Sequence, residues 1–395
     1  MTSQLFPYYQ PIIETSSGRV VGYEVLARQT VEEEVVSGAQ FLNDTSISVN
    51  SRVGVDRTVR RMALEQTASL GKDQYLAINI SPEWVDNLDD HSVSPTLELL
   101  KELNVEPHQV LVEITELSGD LDKLKTLVGL YRECGMKVAI DDFGSGFSQL
   151  DRVAAFKPDI IKLDMAFFKQ GFAGGRNSAL VRMMGDLGAR MGARIICEGV
   201  ETEEEFFYAL ECNASYMQGY FFSPALDHFL PENTFEARVT ELLERYTDQS
   251  VERISRQHFH AERVHQQLVA IRSCIRASDG DDWMETYLPR PEILRLYICD
   301  HSGKQISPNY ENQDGTWQLD PSAVGHHWGW RPFIYQLIGM ADLEQRITQS
   351  SPYLDIVTGN RCSTLSLVLD AQRILLADVR TEEIGESYQS SMINL

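Results

Sequence analysis

The sequence has little positive charge. Its 395 residues include 35 Lys and Arg against 58 Asp and Glu, which gives a formal net charge of −23 at pH 7. Proteins bind duplex nucleic acid and anionic membranes mainly through Lys and Arg, so this balance argues against both as partners. A ligand that carries phosphate would need a metal ion beside it to offset the negative charge.

Long apolar runs and paired cysteines are also missing. Nowhere do eighteen apolar residues follow one another, and the N-terminal sequence MTSQLFPYYQPII lacks the basic and apolar regions of a signal peptide. The six cysteines are scattered with no CxxC pair, so neither a zinc knuckle nor a disulfide framework is indicated. We therefore expect a cytoplasmic protein with reduced thiols.

The composition, with 43% hydrophobic and 24% charged residues, is that of a globular protein. Because a domain usually contains about 100–200 residues, a chain of this length is expected to form more than one core. In its first half, short β-rich runs alternate with helical patterns, which predicts a (β/α)8 barrel of the TIM type, an α/β fold. The eight runs lie at residues 8–13, 20–26, 75–80, 110–115, 137–140, 160–163, 194–197 and 216–222.

Nearly every run carries a polar residue at or just past its C-terminal end. These residues are Glu24, Asn79, Glu113, Asp141, Lys162, Glu198 and Gln218. In a (β/α)8 barrel the C-terminal ends of the strands meet at one face, so we expect these side chains to form one site. The alternative is that acidic residues merely cap the helices that follow. Capping accounts for one or two positions, but not for Asn79, Lys162 or a glutamate inside the apolar run VLVEIT.

The predicted site is rich in oxygen ligands. Its candidate metal ligands are Glu24, Asn79, Glu113 and Asp141. Carboxylate and amide oxygens favour Mg²⁺, Mn²⁺ or Ca²⁺ over Zn²⁺ or Cu²⁺. The adjacent Asp141 and Asp142 can each face one of two neighbouring ions, an arrangement that supports in-line attack on phosphate diesters. The sequence FGSGF that follows predicts a mobile loop able to close over a ligand.

Lys162 ends the run PDIIKLD, where a buried cation is costly unless carboxylates or a phosphate pair with it. We expect Asp141, Asp142 or Glu198 to be its partner. Such a lysine can orient an attacking water, stabilise the charge on a pentacoordinate phosphorus, or accept a proton if its pKa is depressed. All three roles are open at this stage.

Over residues 7–226 the chain resembles the EAL domain family of cyclic di-GMP phosphodiesterases. The family's blocks appear in order as PYYQPI, EVLAR, INIS, VEITE, DDFGSGFSQL, IKLD, CEGVE and QGYFFSP. Val25 replaces the usual alanine of the EAL motif, but side chains alternate along a strand, so it should point away from Glu24. The resemblance implies hydrolysis of cyclic di-GMP to linear pGpG with Mg²⁺ or Mn²⁺. Ca²⁺ should inhibit, because its longer bonds and looser geometry misplace the attacking water.

The resemblance also implies a role for each site residue. The family's ligands for one ion correspond to Glu24, Asn79, Glu113 and Asp141, and a ligand of a second ion corresponds to Asp142. The residues that hold the catalytic water correspond to Lys162 and Glu198, with Gln218 supporting them. A glutamate that restrains the loop after Asp142 corresponds to Glu116. Contacts to the substrate correspond to Gln10, Leu26 and Arg28.

The pattern becomes helical between residues 231 and 276, where apolar residues recur at steps of three and four. They fall into two groups that are out of heptad phase, so we expect a long amphipathic helix or helix pair with a break near residues 248–250. The seam could pack on the chain's own barrel, but because an isologous helix pair is the commoner arrangement, we predict a homodimer formed through the helices.

The C-terminal region contains the alternating runs LRLYICDHSGKQIS, STLSLVLD and RILLADVR, which predict an antiparallel sheet. It resembles the PAS- or Cache-like α+β domain that follows the barrel in YkuI-type EAL proteins. We therefore expect a phosphodiesterase barrel at residues 1–230, a helical linker at 231–278 and a regulatory domain at 279–395. The regulatory domain would respond to a small-molecule or protein signal.

Two other functions stay open. A catalytically weak or inactive barrel would be a cyclic di-GMP receptor that signals through the helical linker, although the complete ligand set favours an enzyme. A different metal-dependent barrel enzyme, such as one acting on sugar phosphates, would need a base on an opposite strand end. Turnover of cyclic di-GMP with Mg²⁺ or Mn²⁺ would distinguish the phosphodiesterase from both of these alternatives.

Overall fold

The computed structural model of the chain describes residues 5–42, 44–80, 94–115, 121–145, 150–338, 347–355 and 358–381. The chain separates into two compact units, Met1–Thr247 and Asp248–Leu395. The first unit contains a closed barrel, and the second contains an antiparallel sheet.

Eight strands close the barrel, and a further strand, β3, pairs with the end of β2. The strands of this unit are β1 (Phe6–Glu14), β2 (Val20–Val31), β3 (Glu34–Ser37), β4 (Tyr75–Ile80), β5 (Val110–Thr115), β6 (Lys137–Phe143), β7 (Ile160–Leu163), β8 (Arg194–Cys197) and β9 (Tyr216–Met217). The hydrogen-bonded order is β1-β9-β8-β7-β6-β5-β4-β2, and β2 pairs with β1 to complete the circle. The predicted TIM-like barrel is therefore confirmed.

The first strand runs in the opposite direction to both of its neighbours, β2 and β9. The other pairings around the barrel are parallel. In this respect the barrel differs from the regular (β/α)8 alternation that we expected. Only residues 15–19 separate β1 from β2, which is too short for the crossover that a parallel pair requires. The hairpin places Gln10 directly opposite Glu24.

Helices connect the parallel strands. They are α1 (Ala39–Leu42), α2 (Val49–Leu64), α3 (Pro95–Leu103), α4 (Leu121–Glu133), α5 (Leu150–Phe156), α6 (Met165–Phe172), α7 (Gly175–Met191) and α8 (Glu203–Glu211). Two of them begin just after the strands that carry candidate site residues. Asp164 caps α6 by accepting a hydrogen bond from the Phe167 amide at 2.9 Å, and Thr202 and Glu205 form a capping box at the start of α8.

An apolar layer fills the barrel beneath the polar residues. Its buried members are Ile12, Tyr75, Ala77, Leu111, Ala139, Ile160, Ile196 and Tyr216. Side chains alternate along a strand, so the residue two positions further on faces the same side. That residue is polar on six parallel strands, namely Asn79, Glu113, Asp141, Lys162, Glu198 and Gln218. The interior of the barrel therefore has an apolar layer and, one step of two residues further along the strands, a polar layer.

A single helix, α9, spans Glu236–Ala277 and is 42 residues long. The break that we expected near residues 248–250 is absent, because no proline or glycine interrupts the segment. In the first unit Val239 and Leu242 are buried, and in the second Val264, Leu268 and Ile271 belong to the core. Neither α9 nor any other helix within the described ranges is long and apolar enough to cross a membrane.

The second unit is an antiparallel sheet covered by helices, which confirms the smaller α+β domain. Its further elements are α10 (Trp283–Thr286), β10 (Ile293–Asp300), β11 (Asn309–Gln313), β12 (Thr316–Asp320), α11 (Pro332–Ile338), β13 (Ile347–Gln349), β14 (Tyr353–Leu354), β15 (Arg361–Val368) and β16 (Arg373–Arg380). The strand order is β12-β11-β10-β16-β15-β13, with β14 also on β15. One core contains α9 and α10 side chains, and a second contains those of α11.

Candidate active site

A buried lysine lies at the centre of the polar residues at the strand ends. Lys162, on β7, has no exposed surface. Its Nζ lies 2.8 Å from Asp141 Oδ1 on β6 and 2.8 Å from Glu198 Oε1 just past β8. It also lies 3.1 Å from Glu113 Oε1 on β5 and 3.3 Å from Glu24 Oε2 on β2. Four carboxylates that were predicted to share one site thus surround Lys162, and we call these five residues the Lys162 cluster.

The Lys162 cluster contains four carboxylates and one cation, and this excess of acidic groups determines which of its side chains carry a proton. Burial by itself lowers the pKa of Lys162, but Asp141 and the other carboxylates hold it well above its ordinary value. Burial raises the pKa of Glu113 above its ordinary value, against the opposing effect of Lys162. Burial likewise raises the pKa of Glu198, to about 8. Lys162 is therefore charged at neutral pH and can donate hydrogen bonds, but it has no lone pair with which to accept a proton.

Side-chain amides orient Glu24. Gln218 Nε2 donates to Glu24 Oε2 at 2.6 Å and also to Gln10 Oε1 at 3.1 Å. Asn79 Nδ2 lies 3.4 Å from Glu24 Oε1. Gln10 Nε2 in turn lies 3.4 Å from the carbonyl oxygen of Ser223. These contacts bring Gln10, Asn79 and Gln218 into the same site as the Lys162 cluster.

Two groups of carboxylates are close enough to hold cations. Glu24, Glu113 and Asp141 each offer an oxygen within 4.8 Å of the others, and so do Asp141, Asp142 and Glu198. Glu113 Oε2 is buried and has no hydrogen-bond partner among the described residues. A buried acceptor of this kind, in a cluster with excess negative charge, suits a hard divalent cation. The donor set therefore fits Mg²⁺ or Mn²⁺.

Asp142 reaches the site through an irregular backbone. Its φ is +54°, a left-handed conformation that is uncommon for a residue other than glycine. The pairing of β6 with β7 shifts register between Ile140 and Phe143. A bulge re-aims side chains, which explains how two consecutive residues, Asp141 and Asp142, both contribute to one carboxylate group. Burial raises the pKa of Asp142 to about 6, and the charge on Asp141 adds to the effect.

The remaining predicted residues lie at the edge of the site or outside the described ranges. Leu26 and Arg28 are half-buried and follow Glu24 at steps of two on β2, so they share its face. The Arg28 guanidinium donates to the carbonyl oxygen of Ala27 at 3.0 Å. Glu116 lies outside the described residues, as do residues 146–149 of the loop that it was expected to restrain.

Two buried residues that support the site were missed by the sequence analysis. Arg60 on α2 donates from Nη2 to the Asn79 carbonyl oxygen at 3.1 Å, and from Nη1 to Thr96 Oγ1 at 3.2 Å. No sequence signal distinguishes it from the surface arginines of the same helix. Glu205 bonds the segment that follows Glu198. Its signal was present, because T-x-x-E from Thr202 to Glu205 is a capping-box pattern.

Two protein families match this chain, one over the barrel and one over the C-terminal region. The EAL domain matches residues 2–225, and the EAL-domain associated signalling protein domain matches residues 229–387. The uncharacterised EAL-domain containing protein YkuI of Bacillus subtilis is 30% identical over 387 residues, which cover 95% of this chain and 94% of YkuI. The crystal structure of YkuI with its substrate cyclic di-GMP and calcium is similar, with a TM-score of 0.86 and 28% identity over 96% of this chain and 97% of YkuI.

Other relatives match a smaller share of the chain. The cyclic di-GMP phosphodiesterase RocR of Pseudomonas aeruginosa is 32% identical over 232 residues, which cover 56% of this chain and 58% of RocR. BlrP1 of Klebsiella pneumoniae, in a manganese and cyclic di-GMP complex, has a TM-score of 0.51 and 29% identity over 57% of each chain. The proteins similar to this chain thus include a cyclic di-GMP phosphodiesterase and complexes that contain calcium or manganese.

Proposed function

This chain belongs to the EAL domain family, and from that membership we propose that it is a phosphodiesterase that hydrolyses cyclic di-GMP to linear pGpG with Mg²⁺ or Mn²⁺. The observation that carries the proposal is the Lys162 cluster, in which four carboxylates surround one buried lysine at the strand ends. The similarity to a cyclic di-GMP phosphodiesterase supports the same substrate.

The metal ligands in this proposal come from the two carboxylate groups and from Asn79. Glu24, Asn79, Glu113 and Asp141 would hold one ion, and Asp142 would hold a second. When bound, a divalent cation polarises a phosphoryl oxygen and favours deprotonation of a nearby water. Glu113 Oε2, the buried oxygen without a described partner, would gain one. Ca²⁺ would bind the same oxygens with longer bonds and so inhibit turnover.

The chain's own residues then position the water and receive its proton. Lys162, charged at neutral pH, donates hydrogen bonds that orient the water and stabilise charge on phosphorus. Glu198, 2.8 Å from Lys162, is assigned as the carboxylate that accepts the proton, in the ionised form that a cation held beside it with Asp141 and Asp142 would favour. The water oxygen bonds to phosphorus, the phosphorus–ribose oxygen bond breaks, and the released oxygen takes a proton from solvent. Gln218 keeps Glu24 in place throughout.

The substrate would extend along the face of β2 beyond Glu24. Leu26 offers an apolar contact to a guanine, and Arg28 offers a cation for a phosphate or a guanine edge. Gln10 faces Glu24 across the β1–β2 hairpin and adds an amide to this surface. Glu116 would restrain the loop after Asp142.

The C-terminal region is assigned the regulation of the barrel. Residues 279–395 would bind an unknown small molecule or protein signal, and residues 231–278 would connect them to a barrel at 1–230. The predicted apolar seam does not itself demand a partner, because much of it is buried within the chain's own two units. Between those parts, Val251, Ile254 and Phe259 are 57%, 60% and 68% exposed, and they would be the contact in a homodimer.

Product analysis separates the enzyme from a receptor. The purified chain, incubated with cyclic di-GMP and Mn²⁺, should produce linear pGpG, and Ca²⁺ should prevent turnover while permitting binding. Chromatography of the products measures the first, and calorimetry measures the second. A protein that binds cyclic di-GMP but forms no linear dinucleotide with Mn²⁺ or Mg²⁺ is a receptor. Equal rates with Ca²⁺ and Mg²⁺ contradict the assigned role of the cation.

A further inference from the structure

The segment that carries Glu198 is a short loop between β8 and α8, at residues 198–202. It lies beside the segment that follows β9, because the Val200 amide donates to the Gln218 carbonyl oxygen at 3.1 Å and the Phe221 amide donates to the Val200 carbonyl oxygen at 3.0 Å. The path of this loop therefore sets where the Glu198 carboxylate stands relative to Lys162 and Gln218.

One buried carboxylate holds the far end of this loop. Glu205, on the first turn of α8, is 5% exposed. Its Oε2 accepts hydrogen bonds from the Glu201 amide at 2.7 Å and from the Thr202 amide at 3.3 Å. In return, Thr202 Oγ1 accepts from the Glu205 amide at 3.2 Å. A helix cap needs only the last two of these bonds, so the bond to the Glu201 amide reaches further back towards Glu198 than capping requires.

The other oxygen of Glu205 ties this loop to the preceding βα unit. Lys169 Nζ on α6 donates to Glu205 Oε1 at 2.5 Å and to Glu201 Oε2 at 3.1 Å. Helix α6 follows β7, the strand that carries Lys162. The two units are thus joined twice: Lys162 meets Glu198 at the site, and Lys169 meets Glu205 and Glu201 behind it.

We propose that Glu205 and Lys169 are positioning residues, which fix the loop at 198–202 so that the Glu198 carboxylate stays against Lys162. The consequence for catalysis rests on the proposed phosphodiesterase function. Residues that orient a site residue through hydrogen bonds typically change activity by about 10- to 100-fold when they are replaced. Because neither side chain is assigned to the nucleotide, their loss should lower kcat and leave KM unchanged.

The chain offers a matched set of variants. Glu205→Gln keeps the size of the side chain but replaces one acceptor oxygen with an NH₂ donor, which must face either the Lys169 ammonium or the Glu201 and Thr202 amides, so one of the two links is lost. Lys169→Met removes the same ion pair from the other side, and Lys169→Arg retains the charge. Glu203→Gln is the control, because Glu203 lies on the same helix turn and pairs with Arg245 at 2.6 Å instead of bonding the loop.

Hydrogen exchange and steady-state kinetics are measured on the full-length protein. Glu205→Gln and Lys169→Met should speed amide exchange in peptides that cover residues 198–204 and lower kcat about 10- to 100-fold. Glu203→Gln should do neither, and Lys169→Arg should restore most of kcat.

The two readouts separate failure of this inference from failure of the proposed function. Unchanged exchange at residues 198–204 in Glu205→Gln overturns the positioning role, and so does faster exchange with kcat unchanged. If the unaltered protein forms no pGpG with any divalent cation, the proposed function fails. The exchange comparison then decides by itself whether Glu205 holds the loop.

Discussion

Each unit of the molecule contains a cation with little exposed surface that is surrounded by carboxylates, and the central carboxylates of the two clusters differ in how completely their oxygens are bonded. In the second unit, Arg295 lies 3.1 Å from Asp378, 3.2 Å from Glu311 and 3.7 Å from Asp355. In the barrel, Lys162 has four carboxylates within 3.3 Å. Charge composition by itself therefore does not distinguish them.

The two clusters are distinguished by the hydrogen bonds of their most buried carboxylates, Asp378 and Glu113. Asp378 is 4% exposed, and both of its oxygens are satisfied. Oδ2 accepts from Arg295, and Oδ1 accepts from Thr364 Oγ1 at 2.8 Å and from the Tyr353 hydroxyl at 3.1 Å. Glu113 has no exposed surface, and its Oε2 has no partner among the described residues. Both oxygens of Asp378 are therefore bonded within the fold, whereas the buried Glu113 Oε2 is left able to accept a cation or a water.

The largest difference between the clusters should be in turnover. Glu24→Ala removes a ligand of the proposed cation and the acceptor of the Gln218 bond. Loss of several kcal/mol of transition-state stabilisation corresponds to a fall of about 10³-fold or more in kcat. Glu311→Gln removes a carboxylate from the Arg295 cluster and should still yield linear pGpG. Chromatography of both variants measures the effect, and full activity in Glu24→Ala refutes the ligand assignment.

The two clusters should also respond with opposite sign when one carboxylate is neutralised. Burial raises the pKa of both Glu113 and Asp378, so the difference in sign comes from their hydrogen bonds. Glu113 Oε2 has no partner among the described residues, so Glu113→Gln removes an unfavourable buried charge and should raise Tm in the metal-free protein. Asp378→Asn breaks a fully bonded buried pair and should lower the free energy of unfolding by about 3 kcal/mol.

Thermal and denaturant unfolding in chelator provide the measurement. Mn²⁺ should then raise the Tm of the unaltered protein by more than that of Glu113→Gln, because binding to the native state stabilises it. If Glu113→Gln lowers Tm as Asp378→Asn does, the Lys162 cluster is a structural one.

Strand periodicity was enough to predict the barrel and the residues that meet in it. Glu113 stands out because a charged residue interrupts an apolar run, and Lys162 because it ends one. The direction of β1 was missed although its signal was present, because only six residues separate the predicted runs at 8–13 and 20–26, too few for a parallel crossover. Arg60 was missed because its burial depends on which turn of α2 meets the barrel. The continuity of α9 was missed because two apolar groups out of heptad phase were taken to indicate a break, whereas each group is buried in a different unit of the chain and the two need not form one seam.

Removal of the second unit should change turnover less than loss of a metal ligand does. A chain that ends at Thr247 keeps Val239 and Leu242, which are buried in the barrel unit. Allosteric coupling is typically worth about 1–3 kcal/mol, so removal of residues 248–395 should change turnover by about 5- to 150-fold and also change the association state. Light scattering and activity assays on both lengths measure this. Identical specific activity, or a monomeric full-length protein, contradicts regulation through a helical dimer.

The central claim is that the Lys162 cluster cleaves cyclic di-GMP, and Glu198→Gln tests it most directly. The substitution keeps the size of the side chain but removes the carboxylate assigned to accept the water's proton. Calorimetry with cyclic di-GMP and Ca²⁺, together with chromatography of the products formed with Mn²⁺, gives affinity and turnover for the same protein. We predict unchanged nucleotide affinity and no linear pGpG. Turnover at the rate of the unaltered protein, or affinity lost together with turnover, would contradict the assignment of Glu198 to the chemical step.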